Sequence, residues 1–104
     1  MIPNNSIISA IGNTPLVELK KVVPANAARI VAKLEWANPT GSMKDRTAKT
    51  VIENAEKKGW IKPGDTVVEY TAGTTGISLA LVCAAMGYKF HAVFSDAFSN
   101  EKRV

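Results

Sequence analysis

The chain has 104 residues, of which 46% are hydrophobic and 21% charged, and its formal net charge at pH 7 is +4. This length suits one domain at most, and the composition is that of a globular protein. The basic residues are scattered among acidic ones without an aromatic–basic stacking pattern, so we expect no nucleic-acid partner. No apolar run reaches membrane-spanning length and the N-terminus lacks a signal-peptide pattern, so we predict a cytoplasmic protein that does not bind membranes.

Cys83 and His91 are the residues that could carry thiol or metal chemistry. A single cysteine excludes an internal disulfide and is compatible with a reducing compartment. Cys83 lies in an apolar segment, so we predict that it is a core residue. His91 lies in a predicted strand with no second ligand nearby, so we predict no metal site.

The pattern of the chain predicts strands first and then an alternation of helices and strands. The segment Leu16–Leu19 alternates like a strand, and residues 29–35 predict a second strand with Ile30, Ala32 and Leu34 on one face. The later predicted elements are a helix at 43–58, a strand at 66–70, a helix at 77–86, a strand at 89–94 and a helix that begins at Ser99. We expect the strand at 66–70 to be buried and the helix at 77–86, which is apolar almost all round, to lie between layers. Strands and helices in alternation with short turns predict βαβ units and a parallel sheet.

The turn at residues 38–46, with the sequence Asn-Pro-Thr-Gly-Ser-Met-Lys-Asp-Arg, delivers Lys44 to the first turn of a helix. Ser42 is a predicted N-cap, and Asp45 would place a carboxylate in the first helical turn. The positive end of the helix dipole disfavours the cationic form of Lys44, which suits an amine that must be neutral to attack a carbonyl. A solvated lysine near a helix N-terminus is the alternative from this turn alone.

A second glycine-rich turn, Thr71-Ala72-Gly73-Thr74-Thr75-Gly76, follows a predicted strand and opens a helix. Unpaired backbone N–H groups, the helix dipole and threonine hydroxyls predict a site for a carboxylate or a phosphate. The turn is not a P-loop and does not have the dinucleotide-binding spacing. Taken alone, a tight turn without a ligand fits it as well.

Together these segments resemble the N-terminal part of a cysteine synthase, a pyridoxal-phosphate enzyme of the tryptophan-synthase β type. Residues 11–16, Ile-Gly-Asn-Thr-Pro-Leu, resemble the family's opening strand entry. Residues 38–46 resemble its Asn-Pro-Gly-Gly-Ser-Val-Lys-Asp-Arg segment, with Thr40 and Met43 as substitutions. The turn at 71–76 takes the place of its Thr-Ser-Gly-Asn-Thr-Gly loop. The resemblance covers the whole chain and implies the α/β architecture of fold-type II pyridoxal-phosphate enzymes, with three-layer βαβ units around a parallel sheet.

The resemblance implies a role for each site residue. Lys44 would form a Schiff base with pyridoxal 5'-phosphate and later act as the base that removes the α-proton of the amino-acid substrate. β-Elimination from an O-activated serine, followed by addition of a thiol or sulfide, would give cysteine. The substrate carboxylate would lie against Thr71, Ala72, Gly73 and Thr75.

Two positions of the second turn depart from the family pattern. Thr74 replaces the asparagine that contacts the phenolic oxygen of the cofactor, and Ala72 replaces a serine. A threonine hydroxyl is shorter than an amide, so cofactor tuning and substrate choice are the properties that these substitutions affect.

The length of the chain leads to a further set of expectations. Family members are roughly three times as long, as two domains require, and their phosphate-cradling loop lies beyond residue 104. In their arrangement, residues 1 to about 37 would belong to the larger domain and about 38–104 to the smaller α/β domain. We therefore expect a fragment or a truncated enzyme that retains the cofactor weakly and is inactive by itself.

Other readings of the chain stay open at this point. Full-length members of the family are usually dimers, so a homodimer is expected. One alternative is a non-catalytic interaction module that pairs through bare sheet edges. Another is a small α/β domain that binds a phosphorylated ligand at residues 71–76.

Overall fold

A computed structural model describes residues 6–96 of the chain. Its strands are β1 (Leu16–Leu19), β2 (Ile30–Lys33), β3 (Thr66–Tyr70) and β4 (Lys89–Val93), and its α-helices are α1 (Lys44–Lys57) and α2 (Thr74–Met86). Two short 3-10 helices lie at Ile7–Ala10 and Glu35–Ala37. The predicted elements within this range are confirmed to within three residues at each end, and the helix expected from Ser99 lies outside the described residues.

The strands form two separate two-stranded sheets. β1 and β2 are antiparallel, with Leu16 opposite Lys33, whereas β3 and β4 are parallel, with Thr66 opposite Lys89. Parallel neighbours need a crossover connection, and α2 supplies it between β3 and β4. The expected parallel βαβ unit is thus present in the second half of the described chain. The strands on either side of α1 belong to different sheets, so the first strand–helix–strand run does not form a unit of the same kind.

The core lies where α1, α2 and the β3–β4 sheet meet. Its buried apolar side chains are those of Ile11, Ala48, Ile52, Leu79, Val82, Cys83 and Tyr88. Cys83 is fully buried, as predicted, and burial raises the pKa of its thiol. In the part of the chain that the structure describes, neither helix is both long and apolar enough to cross a bilayer.

Two burial predictions are wrong. β3 is largely exposed, with 60% of Val68 and 62% of Tyr70 accessible to solvent, because side chains alternate along a strand and only one face of β3 turns toward α2. α2 packs against α1 and the sheet, but Ile77 is 53% exposed, so its apolar circumference is not covered all round. The apolar composition of β3 and α2 predicted that their surfaces would be buried, but it did not show which other elements would cover them.

A polar network joins the N-terminal segment to α1. Arg46 donates from Nε to Glu35 Oε1 at 2.5 Å and from a terminal nitrogen to Thr14 Oγ1 at 3.0 Å. Thr14 donates in turn to Glu35 Oε2 at 2.5 Å. Asn38 is buried, donates to the Glu35 carbonyl at 2.8 Å and accepts from the backbone N–H of Gly12 at 2.8 Å. These contacts fix where the chain enters the turn that precedes Lys44.

We predict that acid weakens the fold through Glu35. The hydrogen bond from Arg46, followed by that from Thr14, lowers the pKa of Glu35 from its ordinary value of 4.5 to about 2. A carboxyl group whose pKa is lower in the folded chain contributes stability above its unfolded value and loses that contribution as the pH falls through its folded value. The free energy of unfolding, measured by urea titration, should therefore fall between pH 4.5 and about 2.

Glu35→Gln is the variant that isolates this effect. It should be less stable than the unchanged protein at pH 7 and should lose less stability on acidification. Glu53→Gln, at an exposed position of α1, is the matched control and should keep the unchanged protein's pH profile. An equal loss of stability in the Glu35→Gln variant and the unchanged protein between pH 4.5 and 2 would contradict the assignment.

Candidate functional site

Lys44 is the first residue of α1 and is half-buried. Its backbone N–H donates to Ser42 Oγ at 3.0 Å, but the N-cap residue is Met43, so the prediction of Ser42 as the N-cap is wrong by one residue. The amine of Lys44 makes no hydrogen bond or ion pair with any residue between 6 and 96. The turn thus positions the backbone of this lysine and leaves its amine free of partners from the described chain.

Asp45, the next residue, ties the start of α1 to α2. Its side chain has no exposed surface, and its Oδ2 accepts from the backbone N–H of Thr40 at 2.8 Å. Its Oδ1 accepts from the hydroxyl of Thr40 at 2.5 Å and from the hydroxyl of Ser78 at 2.6 Å. Ser78 is also fully buried. A carboxylate with three donors is well compensated for its removal from water, so Asp45 fixes the register between the two helices.

Sequence reasoning placed Asp45 correctly in the first turn of the helix but missed its partners. The sequence indicated only that Asp45 would place a carboxylate in the first helical turn, which is a sign of a helix start. The available signal was Ser78, a hydroxyl residue in an otherwise apolar helix. A buried hydroxyl needs a partner, but the sequence did not identify Asp45, 33 residues earlier, as that partner.

The second turn is organised by Thr71, which is buried with 4% of its surface exposed. Its Oγ1 accepts from the backbone N–H of Gly76 at 2.9 Å and from that of Gly73 at 3.3 Å. Both acceptor positions of the hydroxyl are therefore used, and it retains one proton to donate. The N–H groups of Thr74 and Thr75 belong to the first turn of α2 and have no acceptor within the helix.

These residues line one open groove of about 400 Å³. Its lining residues are Glu69, Tyr70, Thr71, Ala72, Gly73, Thr74 and Thr75. The structure therefore brings together all five of the predicted binding residues of this turn. The N–H groups and hydroxyls of the turn suit an anion, while Glu69 adds a carboxylate that suits a cation or a hydrogen-bond donor.

Lys44 does not line this groove but lies at the same end of the helix pair. A crevice of about 130 Å³ separates α1 from β3 and α2, and its lining residues are Thr47, Ala48, Val51, Glu69, Thr75 and Leu79. Lys44 precedes Thr47 by three residues and Ala48 by four, so it lies on the helix face that borders the crevice. Thr75 lines both the crevice and the groove. The two predicted turns are therefore neighbours in space.

The comparisons with known proteins agree with this arrangement. The family described as pyridoxal-phosphate dependent enzyme matches residues 7–104. A cysteine synthase of Staphylococcus aureus is 54% identical over 101 residues, which are 97% of this chain and 33% of that protein. O-ureido-L-serine synthase of Streptomyces lavendulae is 50% identical over 95% of the chain and 30% of its own length.

A solved structure extends the similarity from sequence to fold. The crystal structure of an O-ureido-L-serine synthase superimposes with a TM-score of 0.88 at 50% identity, over 95% of this chain and 31% of that one. The architecture is therefore that of the fold-type II pyridoxal-phosphate enzymes, as the resemblance implied. The chain spans about a third of the length of these relatives.

The close approach of Thr71 to Gly76 generates a prediction about the second turn. A Cβ atom at Gly76 would lie 2.6 Å from Thr71 Cγ2 and 2.8 Å from Thr71 Oγ1. Gly76→Ala would gain about 0.5–1 kcal/mol from helix propensity, but overpacking costs about 1–3 kcal/mol. We therefore expect a net loss in the free energy of unfolding, measured by urea titration.

The matched background is Thr71→Ala, which removes both contacting atoms. In that background Gly76→Ala should be tolerated better than in the unchanged protein, because only Thr71 Cβ, at 3.2 Å, remains near the new methyl group. Equal costs in the two backgrounds would show that the contact between residues 71 and 76 does not limit the size of residue 76.

Proposed function

The chain belongs to the family of pyridoxal-phosphate-dependent enzymes, and we propose that it supplies the reactive lysine and the substrate-binding turn of a cysteine synthase-like β-replacement. In that reaction an O-activated serine exchanges its oxygen substituent for a thiol or sulfide. The observation that carries the proposal is the position of Lys44 at the start of α1, beside the first turn of α2, with the Asp45–Ser78 hydrogen bond joining the two helices.

Pyridoxal 5'-phosphate is the cofactor of this family, and when bound it acts as the electron sink for the reaction. The residues of this chain fit such a group, because a half-buried lysine without described side-chain partners and a groove lined with hydroxyls and helix N–H groups lie at the same end of the helix pair. Lys44 would hold the cofactor covalently. Thr74, at the N-terminus of α2, would contact its ring.

Lys44 has two tasks in this proposal. Its amine would hold the cofactor covalently, and it would accept the α-proton of the amino-acid substrate. Both tasks need an amine without a permanent ion-pair partner. The amine of Lys44 meets this condition among the residues that the structure describes.

The second turn would bind the carboxylate of the amino-acid substrate. The free N–H groups of Thr74 and Thr75 point to an anion site, and the remaining hydroxyl proton of Thr71 is available to donate. Ala72 and Gly73 complete the lining of the groove and present backbone rather than long side chains. A single carboxylate suits this site better than a phosphate dianion, because Glu69 adds a negative charge to the same groove.

The finer part of the proposal concerns these 104 residues by themselves. We propose that they retain pyridoxal phosphate weakly and are inactive alone, and that residues up to about 37 and from about 38 onward belong to the larger and smaller domains of the family. A homodimer and a cytoplasmic location belong to the same proposal. The buried, unpaired thiol of Cys83 is compatible with a reducing compartment.

Chemical trapping tests the assignment of Lys44. The chain is mixed with pyridoxal phosphate and reduced with borohydride, and the adduct is located by peptide mass spectrometry. We predict that the adduct forms mainly on Lys44, because this residue begins α1 at the end of the helix pair where the groove lies and its amine has no partner among the described residues. Equal labelling of many lysines would contradict the assignment and favour the interaction module.

Two variants provide the controls for this experiment. Lys44→Ala should abolish the main adduct, whereas Lys49→Ala, on the same helix, should leave it unchanged. Titration with inorganic phosphate tests the remaining alternative, a small α/β domain that binds a phosphorylated ligand at residues 71–76. A chain that binds phosphate at the second turn without any preferred lysine adduct would be an anion-binding domain instead of part of an enzyme.

A further inference from the structure

Thr40 and Met43 are the two residues at which the lysine turn differs from the segment that residues 38–46 resemble, and a glycine stands there in place of Thr40. The structure shows what the side chain adds. The Thr40 hydroxyl donates to Asp45 Oδ1 at 2.5 Å, and the Thr40 backbone N–H donates to Asp45 Oδ2 at 2.8 Å. A glycine could make the second of these bonds but not the first.

The Thr40 hydroxyl donates to a carboxylate that water does not reach. Asp45 has no exposed surface, and its Oδ1 is shared between the hydroxyls of Thr40 and Ser78. Hydrogen bonds to an ionised group are stronger than neutral ones, and the low dielectric of a buried site strengthens them further. Removal of one donor would leave the carboxylate less well held and would weaken the constraint on the turn.

The bond from Thr40 to Asp45 closes a loop of six residues around Lys44. Within that loop, Ser42 Oγ accepts the backbone N–H of Lys44 at 3.0 Å. The Asp45 carboxylate thus joins the first residue of the loop to the last, and Ser42 adds a hydrogen bond within the loop. The same carboxylate is held against α2 by Ser78, so the direction in which the side chain of Lys44 leaves the helix is set relative to the second turn.

We propose that Thr40 is a positioning residue, which acts through Asp45 to hold Lys44 in the orientation that its reaction with the cofactor requires. The inference rests on the proposed function of Lys44. It goes beyond that function because it assigns a role to Thr40, which is not among the residues proposed to hold the cofactor or bind the substrate. Thr40 itself is not expected to touch the cofactor or the substrate.

The test compares two variants of the 104-residue chain, which differ mainly in whether residue 40 carries a hydroxyl group. Thr40→Val keeps the branched shape and the backbone N–H but removes the hydroxyl, whereas Thr40→Ser keeps the hydroxyl. Two quantities are measured for each: the exchange rates of the backbone amides of residues 42–47 without cofactor, and the ratio of Lys44 to Lys49 adducts after treatment with pyridoxal phosphate and borohydride.

The proposal predicts that Thr40→Val raises those exchange rates about tenfold, as expected for the loss of a hydrogen bond to a charged group. It also predicts that the preference for Lys44 over Lys49 falls at least severalfold. Thr40→Ser should return both quantities to within about twofold of the unchanged protein. If Thr40→Val does not fold, as judged by circular dichroism, Thr40→Ala takes its place, because it also removes the hydroxyl and keeps the backbone N–H.

Three results would overturn the proposal. Thr40→Val could leave both quantities unchanged, it could lower thermal stability without changing the labelling ratio, or Thr40→Ser could fail to restore what Thr40→Val loses. A different result would point to the proposed function instead. If the unchanged chain shows no preference for Lys44, the role of Lys44 fails, while the amide exchange rates still decide whether Thr40 holds the turn.

Discussion

The buried carboxylate of Asp45 is the interaction on which the rest of this site depends. A charged group without exposed surface is costly to place in a protein unless hydrogen-bond donors surround it, and here Thr40 and Ser78 provide three. Because those donors come from the lysine turn and from α2, the charge is stable only when the two elements are in contact. The same bonds that compensate the carboxylate therefore bring the N-terminal ends of both helices together.

The starts of α1 and α2 differ in which of their backbone N–H groups have an acceptor in the described chain. At the start of α1, Ser42 Oγ accepts from the backbone N–H of Lys44. At the start of α2, Thr71 satisfies the N–H of Gly76, and the N–H groups of Thr74 and Thr75 are left for an anion. The start of α1 thus carries a lysine whose backbone N–H has an acceptor, whereas the start of α2 keeps two donors that an anion could use.

Much of the local structure could be predicted from the sequence, because its causes are local. Alternation at Leu16–Leu19 and helical spacing after Lys44 defined their elements, and the resemblance to cysteine synthases identified Lys44 and the turn at 71–76. The contacts between distant segments could not be predicted. Ser78 with Asp45, and Arg46 with Glu35 and Thr14, are pairings that depend on how elements pack, and no spacing in the chain encodes them.

A double-mutant cycle on Asp45 and Ser78 tests this account most directly. The free energy of unfolding is measured by urea titration for Asp45→Ala, Ser78→Ala and the double variant at pH 7. If the carboxylate and the hydroxyl hold the helices together, the two changes should couple by about 1 kcal/mol or more, as contacting residues in one network do. Additivity within about 0.3 kcal/mol would contradict the account, because it would mean that α1 and α2 keep their register without this bond.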